Sequence, residues 1–223
     1  MKIGGLLKFS ALDYPGKLSC VVFCQGCPLK CIYCHNPDFL DSSKNGDVSF
    51  DEFLSFICER KGCLDAIVFS GGEPLLQLDL PESILIAKEH GFLIGIHTSG
   101  IIPELFERII PLVDWIGFDV KTVFPKYHTI TSISNSGRAV EKSLSLLLNS
   151  ATPHEIRTTY DSRFISSADL IEIAQTLRNA GVKKWVIQEC SIRENNGNTK
   201  LPLPDHTIIN KLSNIIQVGL RQQ

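Results

Sequence analysis

The stretch Cys20-Val21-Val22-Phe23-Cys24-Gln25-Gly26-Cys27-Pro28-Leu29-Lys30-Cys31-Ile32-Tyr33-Cys34-His35-Asn36-Pro37 decides how the rest of the chain is read. Its first five residues are apolar, β-branched or aromatic, the composition of a short buried strand. A loop follows that carries Cys24, Cys27, Cys31 and Cys34. In α/β folds the loops beyond the carboxyl ends of the strands carry the chemistry. A thiol-rich loop directly after a strand therefore marks the candidate site.

Working outward, similar short runs recur at 66–70, 93–97, 115–120, 155–160 and 184–188. Between them, 49–59, 83–90, 104–110, 139–148 and 168–180 have helical spacing, with Pro103 at a favoured first position and Asn179-Ala180-Gly181 as a stop. Strand–helix–strand repeated about six times predicts parallel pairing and an α/β fold. Eight such units make a closed barrel; six fit an open, partial barrel or a doubly wound sheet. Residues 191–204 are polar and asparagine-rich, contain Pro202 and Pro204, and read as a loop. Beyond them Ile208, Ile209, Leu212, Ile215 and Ile216 form a helical stripe that closes the core.

The chain has 223 residues, 43% of them apolar, with 22 basic against 24 acidic side chains and a net charge of −2. That is enough apolar surface for a core without staples, and the charge balance argues against a broad nucleic-acid-binding face. No run reaches the ~18 apolar residues of a membrane span. The first sixteen residues lack the apolar stretch and cleavage site of a secretory signal. Eight cysteines in such a chain read as reduced thiols in a soluble, cytoplasmic protein, not as a disulfide framework.

Two metal readings compete for the loop. Cys24-x2-Cys27 and Cys31-x2-Cys34 stand closer together than the two knuckles of a usual zinc ribbon, yet four thiolates would close a non-enzymatic zinc or iron–sulfur module. Alternatively Cys27, Cys31 and Cys34 hold a four-iron cluster with one iron left open, and Cys24 is a buried thiol at the strand end. Cys20, Cys58, Cys63 and Cys190 read as ordinary buried cysteines.

Cys27-x3-Cys31-x2-Cys34, with Tyr33 just before the last cysteine, resembles the radical S-adenosylmethionine (SAM) enzymes, and Gly71-Gly72-Glu73-Pro74 after the second strand-like run is similar to their GGE motif. The resemblance implies a partial (β/α)6 TIM-like barrel. Residues 1–190 would form this core, with a leader at 1–18, and 191–223 would be a loop plus a C-terminal helix packing on it. It also implies the cofactors, a [4Fe–4S] cluster on Cys27, Cys31 and Cys34 and SAM on the open iron.

The leader Phe9-Ser10-Ala11-Leu12-Asp13-Tyr14-Pro15-Gly16, together with Gln25-Gly26-Cys27, Cys34-His35-Asn36-Pro37 and Arg157-Thr158-Thr159, resembles the activating proteins of glycyl-radical enzymes. Within them it is most similar to those serving anaerobic ribonucleoside-triphosphate reductase. The implied activity is reductive cleavage of SAM followed by removal of hydrogen from a backbone glycine of that partner, with flavodoxin or ferredoxin as electron donor. The same chemistry directed at a small molecule, or at another glycyl-radical enzyme, is the neighbouring reading.

The resemblance also implies cofactor contacts. Gly71 and Gly72, without Cβ, admit the methionyl part of SAM, and Glu73 of the same Gly71–Pro74 motif accepts from its ammonium. Pro74 completes the motif. Tyr33 presents its ring edge near the adenine. Thr98 ends a strand beside His97, where related activating proteins often carry an acidic residue. Asp119 and Lys121 share a face by alternation. Arg157 carries a guanidinium suited to a carboxylate. Residues 13–16 lie close to the partner's glycine loop.

Overall fold

The computed structural model describes residues 1–194 and 197–222. All six expected strands form: β2 (Ser19–Cys24), β3 (Ala66–Gly71), β4 (Leu93–Thr98), β5 (Trp115–Asp119), β6 (His154–Tyr160) and β7 (Lys184–Glu189). The expected helices are α1 (Phe50–Glu59), α2 (Leu80–Glu89), α3 (Pro103–Ile109), α5 (Ser136–Leu148) and α6 (Ser167–Asn179), with a short α4 (Tyr127–Thr131) before α5. Local chemistry starts several of them. Capping boxes open α1 (Ser49 with Glu52) and α6 (Ser166 with Asp169), and Pro103 is the first residue of α3.

Three elements depart from expectation. The leader is a strand, β1 (Ile3–Ser10), antiparallel to β2. Gly4 and Gly5 hide it, because glycine weakens a strand signal. They serve Phe39, whose ring stacks on Phe23 with centroids 5.4 Å apart and lies 2.5 Å from where a Cβ on Gly4 would stand. The polar segment after residue 190 folds as a hairpin of β8 (Ser191–Glu194) and β9 (Gly197–Lys200), Ser191 opposite Lys200; residues 195–196 of the expected loop lie outside the described residues. The isoleucine stripe is split, with α7 (His206–Ser213) ending before Ile215 and β10 (Gln217–Arg221) beginning after Ile216.

The chain divides into two compact units, each assembled from separate segments. The first comprises Met1–Pro28, Asn36–Gly117 and Thr152–His154. Its strands pair in the order β1-β2-β3-β4-β5, with β2, β3 and β4 parallel and in register, Ser19 beside Ala66 and Ala66 beside Leu93. Val21, Ala66, Val68 and Trp115 make a core on one face, and Tyr14 folds up from the β1–β2 loop into it. Gly95 leaves room for that ring, since a Cβ there would stand 3.0 Å from it.

The second unit comprises Leu29–His35, Phe118–Ala151 and Glu155–Gln223. Here the order is β5-β6-β7-β10, with β6, β7 and β10 parallel. Wholly buried Trp185 anchors it, its indole N–H donating to the Thr158 hydroxyl at 2.9 Å. The fold is thus α/β with eight strands in the main order, parallel but for the β1–β2 pair among those whose register is described, and among the described residues no pairing closes it into a barrel. No helix among them is long and apolar enough to cross a membrane.

Candidate functional site

In the first unit the site is built on the ends of β2, β3 and β4. After Cys24 the chain turns at Gly26, whose φ of +98° is a left-handed conformation that favours glycine. Gly26 N–H donates to the Phe39 carbonyl (2.8 Å) and Cys27 N–H to the Leu40 carbonyl (3.2 Å), so the start and the end of the cysteine loop run side by side. The Gly71–Pro74 segment grips the same turn. Gly72 N–H donates to the Cys24 carbonyl and Glu73 N–H to the Gly26 carbonyl, both at 2.9 Å.

This contact gives the two glycines a reason within the chain itself. A Cβ on Gly72 would lie 2.2 Å from the Gly26 carbonyl oxygen, and one on Gly71 (φ +99°) 2.5 Å from the Cys24 nitrogen. Their bareness admits the chain's own cysteine turn. The Gly71 carbonyl in turn accepts from the Asn36 amide at 3.3 Å. Pro74 starts a single 3-10 turn, where its missing N–H costs nothing.

Glu73 is held by the chain around it. It is 1% exposed, and its carboxylate accepts from the Thr98 hydroxyl (2.6 Å), the Ser99 hydroxyl (2.5 Å), the Ser99 N–H (3.0 Å) and the Leu75 N–H (3.2 Å). Burial raises its pKa, against the pull of those donors. The bond between Glu73 and Thr98 joins the β3 loop to the end of β4. His97 packs its ring against Trp115 at 5.4 Å and bonds the Asp13 carbonyl through Nε2 at 2.9 Å, a locally satisfied histidine.

The second unit gathers Cys31, Tyr33, Cys34, Asp119, Lys121 and Arg157. Lys30 and Ile32 N–H groups, on either side of Cys31, donate to the Thr131 and Ile130 carbonyls at the end of α4 (3.0 and 3.1 Å), and Cys34 N–H closes a turn onto the Cys31 carbonyl (3.1 Å). Tyr33 is 7% exposed and its hydroxyl has no hydrogen-bond partner among the described residues. Asp119 and Lys121 do share a face, with Nζ and carboxylate 3.9 Å apart. Arg157 commits Nε and a terminal nitrogen to one Asp119 oxygen, both at 2.9 Å. Burial works against charge on Lys121, but Cys31 and Asp119 outweigh it and hold the ammonium well above the usual lysine range. Tyr127 was not foreseen, because nothing local marks it. Its hydroxyl accepts from Lys121 N–H at 2.8 Å and donates to the Asp119 carbonyl at 3.4 Å.

The thiols sort by environment. Cys27, Cys31 and Cys34 are half-buried and in no disulfide. Cys24 is wholly buried, and burial, followed by the Glu73 carboxylate, pushes its thiol far up. Burial pushes Cys20 up to about 12 and Cys190 to about 11. Cys58 and Cys63, expected inside, are exposed. Among the described residues no three metal-binding side chains converge tightly enough for a single ion.

The sequence pattern of the radical SAM superfamily matches residues 21–193. Over 222 residues the chain is 32% identical to a Methanocaldococcus jannaschii protein that carries, by inference, the name glycyl-radical enzyme activating enzyme, covering 96% of this chain and 90% of that one. Pyruvate formate-lyase-activating enzyme of Clostridium pasteurianum is 35% identical over 127 residues, 55% of this chain and 53% of its own length, so the chain spans about half of that relative. Streptococcus suis SuiB bound to S-adenosylmethionine superposes with a TM-score of 0.67 at 14% identity, over 91% of this chain and 49% of SuiB. A domain of the Bacteroides vulgatus pyruvate-formate lyase-activating enzyme gives 0.52 at 13% identity, over 70% and 98%. These two likenesses show the fold. The chain belongs to the radical SAM superfamily, whose members use a [4Fe–4S] cluster and SAM. Within that superfamily it is an enzyme of the glycyl-radical activating kind.

Proposed function

We propose that Cys27, Cys31 and Cys34 hold a [4Fe–4S] cluster with one iron open to SAM, and that the chain uses it to activate anaerobic ribonucleoside-triphosphate reductase, drawing its electron from flavodoxin or ferredoxin. The observation that carries the reading is the sorting of the thiols: three half-buried on the loop, the fourth wholly buried at the end of β2. When bound, the cluster and SAM supply a 5′-deoxyadenosyl radical and methionine at the expense of an electron.

The chain's residues bind and orient. Gly71, Gly72, Glu73 and Thr98 fix the turn that presents Cys27, with Pro74 opening the segment after it. Tyr33 offers its ring to the adenine. Lys121, only loosely paired with Asp119, offers its ammonium to the SAM carboxylate, and Arg157, held doubly by Asp119, keeps that acid in place. The core that does this lies within residues 1–190.

The test is anaerobic reconstitution with iron and sulfide, then dithionite and SAM, then the reductase. Release of 5′-deoxyadenosine and a glycyl doublet in the electron paramagnetic resonance spectrum are expected. No 5′-deoxyadenosine from an iron-loaded protein would end the reading. A second reading, a different glycyl-radical enzyme as partner, is favoured by the relatives named for pyruvate formate-lyase; a doublet on that lyase and none on the reductase would select it.

A further inference from the structure

The start of the cysteine loop is held by two buried amides that the proposed chemistry does not use. Gln25 is 4% exposed and Gln77 8%. Gln25 N–H donates to the Lys2 carbonyl at 2.9 Å, tying the loop to β1. Its side-chain Nε2 donates to the Asp41 carbonyl at 2.8 Å and the Asp38 carbonyl at 3.4 Å, beyond the last cysteine. Its own carbonyl accepts from Gln77 Nε2 at 2.6 Å, while Gln77 Oε1 accepts from Lys2 N–H at 2.9 Å. Gly4 makes the space: a Cβ there would stand 2.6 Å from Gln25 Oε1.

The chemistry of the partners fixes how each amide is turned. Gln25 faces two carbonyls, so only its NH2 end can point at them. Gln77 faces a carbonyl on one side and an N–H on the other, and flipping it would set oxygen against oxygen and donor against donor. Neither role passes to a carboxylate of the same shape. A short apolar contact would not need this matching; a fixed spacing between backbone segments does.

We infer that Gln25 and Gln77 are positioning residues that lock residues 24–27 to residues 38–41 and to β1, so that Cys27 is set in place before metal arrives. The inference rests on the reading of Cys27 as a cluster ligand, but its first test does not. In metal-free, reduced protein, alkylation by iodoacetamide is followed at each cysteine by mass spectrometry. Gln25→Glu is expected to raise the rate at Cys27 several-fold and leave as in the parent Cys31, whose neighbours bond the end of α4, and Cys34, which bonds back to Cys31. Gln77→Met, which keeps the volume and removes both amide bonds, is read the same way should Gln25→Glu not fold.

The second readout is iron bound per chain at limiting iron. Loss of an outer support lowers metal affinity roughly tenfold or more, so both variants should load less than the parent. Parent-like alkylation at Cys27 together with parent-like iron loading overturns the inference. An iron-free parent would instead defeat the proposed function, and the alkylation rates would still judge the clip.

Discussion

Gly72 owes its identity to the Gly26 carbonyl oxygen that a Cβ would meet at 2.2 Å. Neither partner is a flexible side-chain end, so Gly72→Ala has to push the cysteine turn away. Overpacking of this kind costs about 1–3 kcal/mol, and we expect that loss in urea denaturation along with reduced iron loading. Glu73→Gln is a shape-preserving change that turns amide hydrogens toward the Ser99 or Leu75 N–H groups. A buried donor left facing a donor costs about 1–3 kcal/mol, to be read by the same denaturation with parent-like secondary structure. At the loop, Cys24→Ala should keep the iron content while Cys31→Ala loses it; loss of iron in both would restore the four-thiol site. The three proposed ligand positions stand out in the sequence because their spacing is local. The work of Glu73 was not, since its donors Thr98 and Ser99 stand 25 and 26 residues away.

Among the elements, the six strands β2 to β7 were legible because each is a short run rich in β-branched or aromatic residues, most of them buried. Strand β1 was not, because Gly4 and Gly5 answer to Phe39, a residue across the loop. Helix α6 shows a start that could be read directly: Ser166 bonds Asp169 N–H, and Asp169 reaches back to Ser166 N–H at 2.9 Å and to Lys126 at 2.6 Å. Burial raises the pKa of Asp169, but the hydrogen bonds from Lys126 and Ser166 outweigh it and hold the carboxyl below the usual range. A lowered folded pKa means that this contribution is complete above the unfolded value of about 3.9 and is lost as pH falls through the lower folded one. Asp169→Asn should therefore cost about 1 kcal/mol near neutral pH, with the gap to the parent closing below about pH 4, measured by urea denaturation at both conditions.

For the whole molecule, the backbone bonds that fix both ends of the cysteine loop join protein to protein. Small metal-dependent domains unfold when stripped; here chelation of the iron should leave the circular dichroism spectrum and the melting transition close to those of the loaded protein. Collapse of either on chelation would contradict the preformed turn at Gly26 and Cys27. The leader's role became legible only at this scale. It drives Tyr14 into the face built by Val21, Val68 and Trp115. Tyr14 lies beyond a full strand, β1, which is hydrogen-bonded along β2, while Lys17 after it is exposed. Proteolytic nicking behind Lys17 would accordingly yield two peptides that migrate apart in denaturant yet co-elute as one particle in native buffer, a natural split point for complementation between a separately supplied leader peptide and the rest of the chain.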